Sequence, residues 1–217
     1  MANLPEPLPD DPLPLVRQWL ADAEALAAAR NPSAMALATS DGRGRPSVRM
    51  VLLRGLSAED GYGVFYTHRH SRKGRELAAE PRAAGALYWE PLGRQLRLEG
   101  PVVPSPEAES DAYFATRPLG SQVNAWISAQ SAPLESLEEL RARADRKKRD
   151  LAASAPLARP HAWGGYRLWF DGIEFWVEGA DRCHERVRYE RTLTSAGAGA
   201  SAAAFIGGPW RRERLQP

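Results

Sequence analysis

Apolar residues recur at helical spacing near the start of the chain, at Leu15, Val16, Trp19, Leu20, Ala23 and Leu26, with Asp11-Pro12 supplying a capping side chain and a proline just ahead of them. This predicts an opening helix that ends at Asn31-Pro32. The hydrophobic period then falls from 3.6 to 2, the signature of half-buried strands. Residues 35–40 and 47–54 read as strands around the turn Asp41-Gly42-Arg43-Gly44-Arg45, and 61–67 continues the antiparallel run. A short helix over 71–80 is stopped by Pro81, and 84–90 and 94–103 add two more strands. Five strands with one short helix predict a barrel or a sandwich.

The second half begins with Ser105-Pro106-Glu107, a helix N-terminus, leading through Tyr113 to Arg117 and closing at Pro118. A further helix is predicted over 121–129. The helix over 134–153 carries Glu135, Glu138 and Glu139 early and Arg146, Lys147, Lys148 and Arg149 late. That order complements the helix dipole, so it marks a solvated face and not a nucleic-acid patch. Residues 165–170 and 173–178 around Asp171-Gly172 read as a hairpin, and 186–192 and 210–215 as strands. The Ala/Gly/Ser-rich stretch 195–208 reads as a flexible loop and lacks the Gly-Lys-Ser/Thr ending of a phosphate loop. The Pro-rich, acidic lead over 1–11 reads as flexible, and 1–217 as one domain of the mainly β, α+β class.

Composition narrows the chemistry. At 217 residues and 43% hydrophobic content the chain can bury a substantial core, and a net charge of +2 demands no polyanion partner. A single cysteine, Cys183, excludes an internal disulfide framework, and His68, His70 and His161 lack metal-ligand spacing, so no metal is expected. There is no Gly-x-Ser-x-Gly elbow, no Gly-x-Gly-x-x-Gly turn after a strand, and no apolar run of about 20 residues to span a bilayer. A soluble protein of the reducing cytoplasm is expected. Lysine is confined to positions 73, 147 and 148, which leaves few candidates for Schiff-base chemistry.

What remains is a set of cations placed as if for anions. In the strand reading Arg49 and Arg54 point to opposite faces and start about 16 Å apart, so two anionic groups or one long ligand are implied. Ser71-Arg72-Lys73 adds a basic helix start. Tyr113 and Arg117 lie one helical turn apart, and Ser121 follows at a helix start, a combination that can cradle a phosphate. Arg182, His184 and Arg186 alternate, which in an extended segment aligns them at intervals of about 6.6 Å. Taken singly, the first strand reads better as an amphipathic strand with capping arginines, Tyr113 and Arg117 read better as a packed tyrosine and a surface arginine, and the 182–186 segment reads about equally well as a solvated edge strand.

Taken in order, these motifs resemble pyridoxamine 5′-phosphate oxidase. The resemblance rests on Arg49 to Arg54, Phe65-Tyr66-Thr67, Ser71-Arg72-Lys73, Arg94-Gln95, Tyr113-Phe114, Arg117-Pro118, Ser121-Gln122 and Gln130-Ser131, followed by Trp163-Gly164-Gly165, Ile173-Glu174-Phe175-Trp176, Arg182, His184, Arg186 and the closing Arg214-Leu215-Gln216-Pro217. It implies an FMN-binding split β-barrel with peripheral helices, a homodimer, and FMN in a cleft between subunits. By motif position Arg49, Met50, Val51, Leu52, Tyr66, Thr67, Arg72, Lys73, Gln95, Gln130, Ser131, Trp176 and Arg186 would contact FMN. Arg54, Tyr113, Arg117, Ser121, Arg182 and His184 would contact a phosphorylated B6 vitamer, with Arg182 and His184 nearest the chemistry. The implied reaction is oxidation of pyridoxamine 5′-phosphate or pyridoxine 5′-phosphate to pyridoxal 5′-phosphate, with O2 reduced to H2O2.

Two departures qualify the resemblance. Arg54 stands where the family usually has Lys, and the predicted first helix by about residue 12 leaves no room for the family's longer N-terminal arm. Both features are shared with the phenazine-biosynthesis flavin oxidases, so a tailoring oxidase of an aromatic secondary metabolite is the alternative reading. A non-catalytic flavin or pyridoxal phosphate carrier is the third.

Overall fold

The computed structural model describes residues 3–26, 30–151, 157–197 and 205–217. Helix α1 (Leu13–Ala25) is followed by strands β1 (Ala34–Ser40), β2 (Pro46–Leu52), β3 (Gly55–Ser57) and β4 (Tyr62–His68), helix α2 (Arg72–Ala79), and strands β5 (Arg82–Trp89) and β6 (Arg94–Pro104). Helices α3 (Glu107–Thr116), α4 (Leu119–Ile127) and α5 (Leu137–Leu151) come next, then β7 (Trp163–Trp169), β8 (Gly172–Val177), β9 (Glu185–Glu190), β10 (Leu193–Ser195), β11 (Phe205–Gly207) and β12 (Arg211–Leu215). Burial alternates residue by residue along β1 and most of β6, as a period-2 pattern requires when one face meets a core.

All the strands but β10 and β11, which pair with each other, form one curled antiparallel sheet in the order β12-β9-β8-β6-β5-β1-β2, with β7 on β6, β4 on β7 and β3 on β4. Strand β6 makes the curl. Its first half, Arg94 to Glu99, pairs with β8, and its last residues, Val102 to Pro104, pair with β7. The bend falls at Gly100, whose φ is +154° and where a Cβ would lie 1.8 Å from the Trp169 carbonyl oxygen. Only glycine fits there. The Arg54 N–H donates to the Val64 carbonyl at 2.7 Å and brings the end of β2 onto β4, closing the curl toward a barrel. Leu37, Phe65, Leu87, Leu96, Leu98, Leu168, Phe170 and Phe175 fill the interior. Trp19 of α1 seals one end, edge-on to Phe175 at 4.9 Å, with Arg94 over its ring and bonded to Asp22.

Several expectations need correction. Asp171-Gly172 does not close a hairpin, because β7 and β8 pair with different parts of β6 and the turn carries the chain between them. Strand β2 ends at Leu52, so Arg54 lies beyond it. Helix α4 begins at Leu119, which puts Ser121 inside the first turn, and α5 runs from Leu137 to Leu151, with residues 152 and 153 of the expected helix outside the described residues. Residues 3–11 are not a loose lead. Leu4 is buried, Pro9 accepts a hydrogen bond from the Tyr189 hydroxyl, and Asp10 and Glu6 pair with Arg212 and Arg214. The flanks of the expected 195–208 loop pair as β10 and β11, while 198–204 lie outside the described residues.

Candidate active site

Three β-elements and two helix ends converge on a cavity of about 530 Å³. Strand β4 contributes Tyr66, Thr67 and His68, the end of β2 contributes Leu52 and the segment just beyond it Arg54, and β7 contributes Trp163. Tyr113, Thr116 and Arg117 come from the end of α3, Ser121, Asn124 and Ala125 from α4, and Gln130 from the turn after it. The corner between the helices is set by sequence: Arg117 leaves α3 in extended conformation (ψ 146°), as a residue before proline should, and Pro118 opens α4. That corner places Arg117 and Ser121 on the same cavity, with the first turn of α4 and its partial positive charge at the wall.

Aromatic stacking holds the cradle rigid. Tyr66 stacks on Tyr113 at 3.9 Å and on Trp163 at 5.4 Å, and the Arg117 guanidinium lies 4.5 Å above the Trp163 ring. Gly165 is required beside Tyr66, since a Cβ there would sit 2.9 Å from the ring. Arg117 Nη1 is buried with no hydrogen-bond partner among the described residues. Burial lowers the Arg117 pKa, and the neighbouring Arg54 charge lowers it further, although a guanidinium stays cationic throughout the working range. Among the described residues no carboxylate lines the cavity. Two cations facing a carboxylate-free space, one of them with an orphaned donor, are arranged to receive an anion.

Behind the cradle sits a second cationic group. The Lys73 ammonium is buried and donates to Thr67 Oγ1 and Gln130 Oε1, both at 3.0 Å. Burial pulls its pKa to about 8, helped by Arg49 and opposed by Glu76. His68 is buried beside it, and burial together with Lys73, Arg117 and His70 depresses its pKa. Arg49 and Arg72 share the buried Glu76 carboxylate. The Ser71 hydroxyl caps α2, accepting from the Gly74 N–H, and is fully buried.

The remaining predicted site residues occupy another region. Tyr88, Gln95, Trp176 and Arg186 are successive cross-strand partners on β5, β6, β8 and β9. Arg186 donates twice to Glu174 Oε1, at 3.0 and 2.8 Å, and from Nη1 to the Gln216 carbonyl. His184 lies 4.6 Å from the Trp176 ring, and its Nδ1 accepts from the Gly179 N–H. A neutral His184 therefore carries its proton on Nε2. Arg182 departs from expectation: with φ +66°, after Asp181 at +51°, it sits exposed in a tight turn and not on one extended face with His184 and Arg186. Left-handed backbone without glycine gave no sequence signal there.

The structure thus gathers Leu52, Arg54, Tyr66, Thr67, Tyr113, Arg117, Ser121 and Gln130 around one cavity, with Lys73 behind them. Gln95, Trp176, Arg182, His184 and Arg186 do not line that cavity. Met50 is 62% exposed, Val51 packs against the core, and Ser131 is exposed at φ +72°. His68, Thr116, Asn124 and Trp163 line the cavity without having been assigned a role from sequence. Glu76 and Glu174 were also missed, because a buried carboxylate looks in sequence like any surface acid.

Known proteins resemble this chain over most of its length. Residues 21–148 match the family model described as pyridoxamine 5′-phosphate oxidase, and 163–217 match the pyridoxine 5′-phosphate oxidase C-terminal dimerisation region. The pyridoxine/pyridoxamine 5′-phosphate oxidase of Nitrobacter hamburgensis is 44% identical over 208 residues, covering 95% of this chain and 90% of its own. That of Sphingopyxis alaskensis is 49% identical over 184 residues, covering 84% and 83%. PhzG from Burkholderia lata 383, solved in complex with tetrahydrophenazine-1-carboxylic acid, superimposes with a TM-score of 0.85 at 36% identity over 100% of this chain and 98% of that one. A pyridoxamine 5′-phosphate oxidase-related, FMN binding protein from Nostoc punctiforme shares the fold, with a TM-score of 0.68 at 15% identity over the full length of both. The architecture is the expected split β-barrel with peripheral helices.

Proposed function

The chain belongs to the pyridoxamine 5′-phosphate oxidase family, and we propose that it oxidises pyridoxamine 5′-phosphate or pyridoxine 5′-phosphate to pyridoxal 5′-phosphate, using bound FMN and O2 and releasing H2O2, the amine substrate also consuming one water and releasing ammonia. The observation that carries the substrate assignment is the carboxylate-free cavity with Arg54, the orphaned Nη1 of Arg117, Tyr113 and Ser121. These groups anchor the substrate phosphate, and the stacked Tyr66, Tyr113 and Trp163 hold the anchor in place. When bound, the flavin supplies the hydride-accepting and oxygen-reducing chemistry.

The donor set fits a phosphorylated flavin. Arg72 spends only Nε on the protein and keeps both terminal nitrogens, Lys73 has a third proton to give, and Gln130 and Gln95 offer amides for the ring edge. Met50, Val51, Leu52, Tyr66, Thr67, Ser131, Trp176 and Arg186 complete the flavin contacts, with Arg49 contributing charge because its terminal nitrogens are already bonded. Arg182 and His184 orient the substrate ring, His184 with Nε2 available.

Gln95, Trp176, His184 and Arg186 lie on β6, on β8, at the entrance to β9 and on β9, and all but Gln95 fall within the segment matching the dimerisation region. The face they share also exposes Tyr88 and Met50, large apolar groups suited to cover by a second copy. Each complete site in our reading therefore combines the cradle of one protomer with the sheet face of its partner, in a cytoplasmic, single-domain homodimer. No helix among the described residues is long and apolar enough to cross a membrane. The likeness to PhzG supports one alternative, an oxidase of an unphosphorylated aromatic ring. Oxygen uptake by the FMN-loaded protein separates the two: rapid uptake with pyridoxine 5′-phosphate and none with pyridoxine is expected, and uptake indifferent to the phosphate would reject the assignment.

A further inference from the structure

Glu76 is a carboxylate on α2, 5% exposed, and plays no part in the reaction described above. Its two oxygens are saturated. Oε2 accepts from Arg49 Nη2 at 2.9 Å, from the Thr39 hydroxyl and from Ser47 Oγ at 2.7 Å, and Oε1 accepts from Arg72 Nε at 2.8 Å. Those bonds outweigh burial and hold its pKa at about 2, so it is anionic at any working pH.

The two arginines it joins are used differently. Arg49 commits Nη1 to the Leu37 carbonyl and Thr39, and Nη2 to Ser47 and Glu76. Arg72 gives only Nε, and its Nη1 and Nη2 have no partner among the described residues. The carboxylate thus links a guanidinium fixed to the sheet with one whose donor fork is open, one residue before Lys73. The three cations less one carboxylate leave a surplus of about two positive charges, matching a phosphate monoester with the sign reversed.

We propose that Glu76 is a positioning residue for the cofactor phosphate, transmitting the fixed placement of Arg49 to Arg72 so that the Arg72 fork meets the phosphate beside Lys73. The inference rests on the reading that FMN is the flavin bound. Its sign can be tested, because charge and geometry pull in opposite directions. Removing the carboxylate charge raises the local positive potential, which by Coulomb attraction alone would tighten FMN. Losing the anchor of Arg72 weakens it.

The experiment is a fluorescence-quenching titration of the flavin-stripped, full-length protein with FMN and with riboflavin, which lacks the phosphate. For Glu76→Gln the Kd for FMN should rise at least about tenfold while that for riboflavin moves by less than about twofold. Glu76→Asp, which keeps the charge on a shorter arm, should fall between wild type and Gln. Tighter FMN binding in Glu76→Gln, or an equal loss for both flavins, would overturn the proposal, the second because a purely structural defect does not discriminate a phosphate. If Glu76→Gln does not fold, Ser47→Ala removes one hydroxyl bridging Arg49 and Glu76 and should cost about threefold in FMN alone. A wild-type protein that binds riboflavin as tightly as FMN would reject the cofactor reading itself, and the role of Glu76 with it.

Discussion

The cradle around Arg117 and the sheet face around Trp176 solve the same electrostatic problem in opposite ways. In the cradle the cations are left without carboxylates, and aromatic rings hold them in position: Arg117 rests on Trp163, which stacks with Tyr66 and Tyr113. On the sheet face the arginines are neutralised from beneath, with Arg97 and Arg186 both bonded to the buried Glu174. The first arrangement is costly until an anion arrives, so it reads as a binding site assembled within one chain. The second is satisfied electrostatically but open above, exposing Tyr88 and Met50, so it reads as a surface awaiting a protein partner. A half-open pocket and an open platform are what a site shared between two protomers requires of each of them.

Substitutions should separate the two regions. The largest effect is expected from Glu174→Gln, which leaves Arg97 and Arg186 without their buried counter-charge. Because both arginines are partly exposed, a loss on the order of 2–4 kcal/mol is expected, read as a fall in Tm, with the KM for pyridoxine 5′-phosphate unchanged at saturating FMN because Arg186 is assigned to the flavin and not to the substrate phosphate. Arg117→Ala should act in the reverse sense, raising that KM roughly 30- to 100-fold, about 2–3 kcal/mol of charge-assisted hydrogen bonding, while bound flavin and Tm are retained. Steady-state kinetics and thermal melts on the two variants make the contrast, and a KM effect in the first or none in the second would erase it.

A smaller effect comes from pH. The Lys73 pKa is lowered to about 8 in the flavin-free protein, and its protonated form is the one that attracts a phosphate. Binding therefore takes up a proton above that value. FMN affinity should be flat between pH about 7, above which the phosphate is a dianion, and pH about 8, and fall by up to about tenfold per pH unit above that, with riboflavin affinity not showing this fall. The same shift means that the unfolded chain, with Lys73 near 10.5, binds more protons than the native one between pH 8 and 10.5, so Lys73's contribution to native stability rises across that window. An isothermal titration series at several pH values checks the first statement.

The parts of this design that were legible in the sequence are those set by neighbours along the chain. The alternation in β1 and β6, the Ser71 cap of α2, the Ser105-Pro106 start of α3 and the turn from Arg117 to Ser121 all rest on local spacing. Distant contacts hid the rest. Asp171-Gly172 carries an ordinary hairpin signal, but the bend of β6 at Gly100 decides which strands meet. The proline-rich lead looks loose until Glu6 and Asp10 find arginines some 200 residues away. Glu76 and Glu174 are buried only because tertiary structure brings guanidiniums onto them. Arg182 was misplaced because nothing local announces a left-handed turn at Asp181.

The claim that each site draws on two protomers is tested most directly by subunit complementation. Arg117→Ala and His184→Ala proteins are unfolded together, refolded as mixed dimers and assayed for oxygen uptake at pyridoxine 5′-phosphate well below the wild-type KM, where each variant alone is nearly inactive. If the cradle of one protomer works with the sheet face of its partner, half of the dimers are hybrids that each carry one intact site, and about a quarter of wild-type activity returns. If both residues serve a site within the same chain, every site in the mixture keeps one lesion and no activity is recovered.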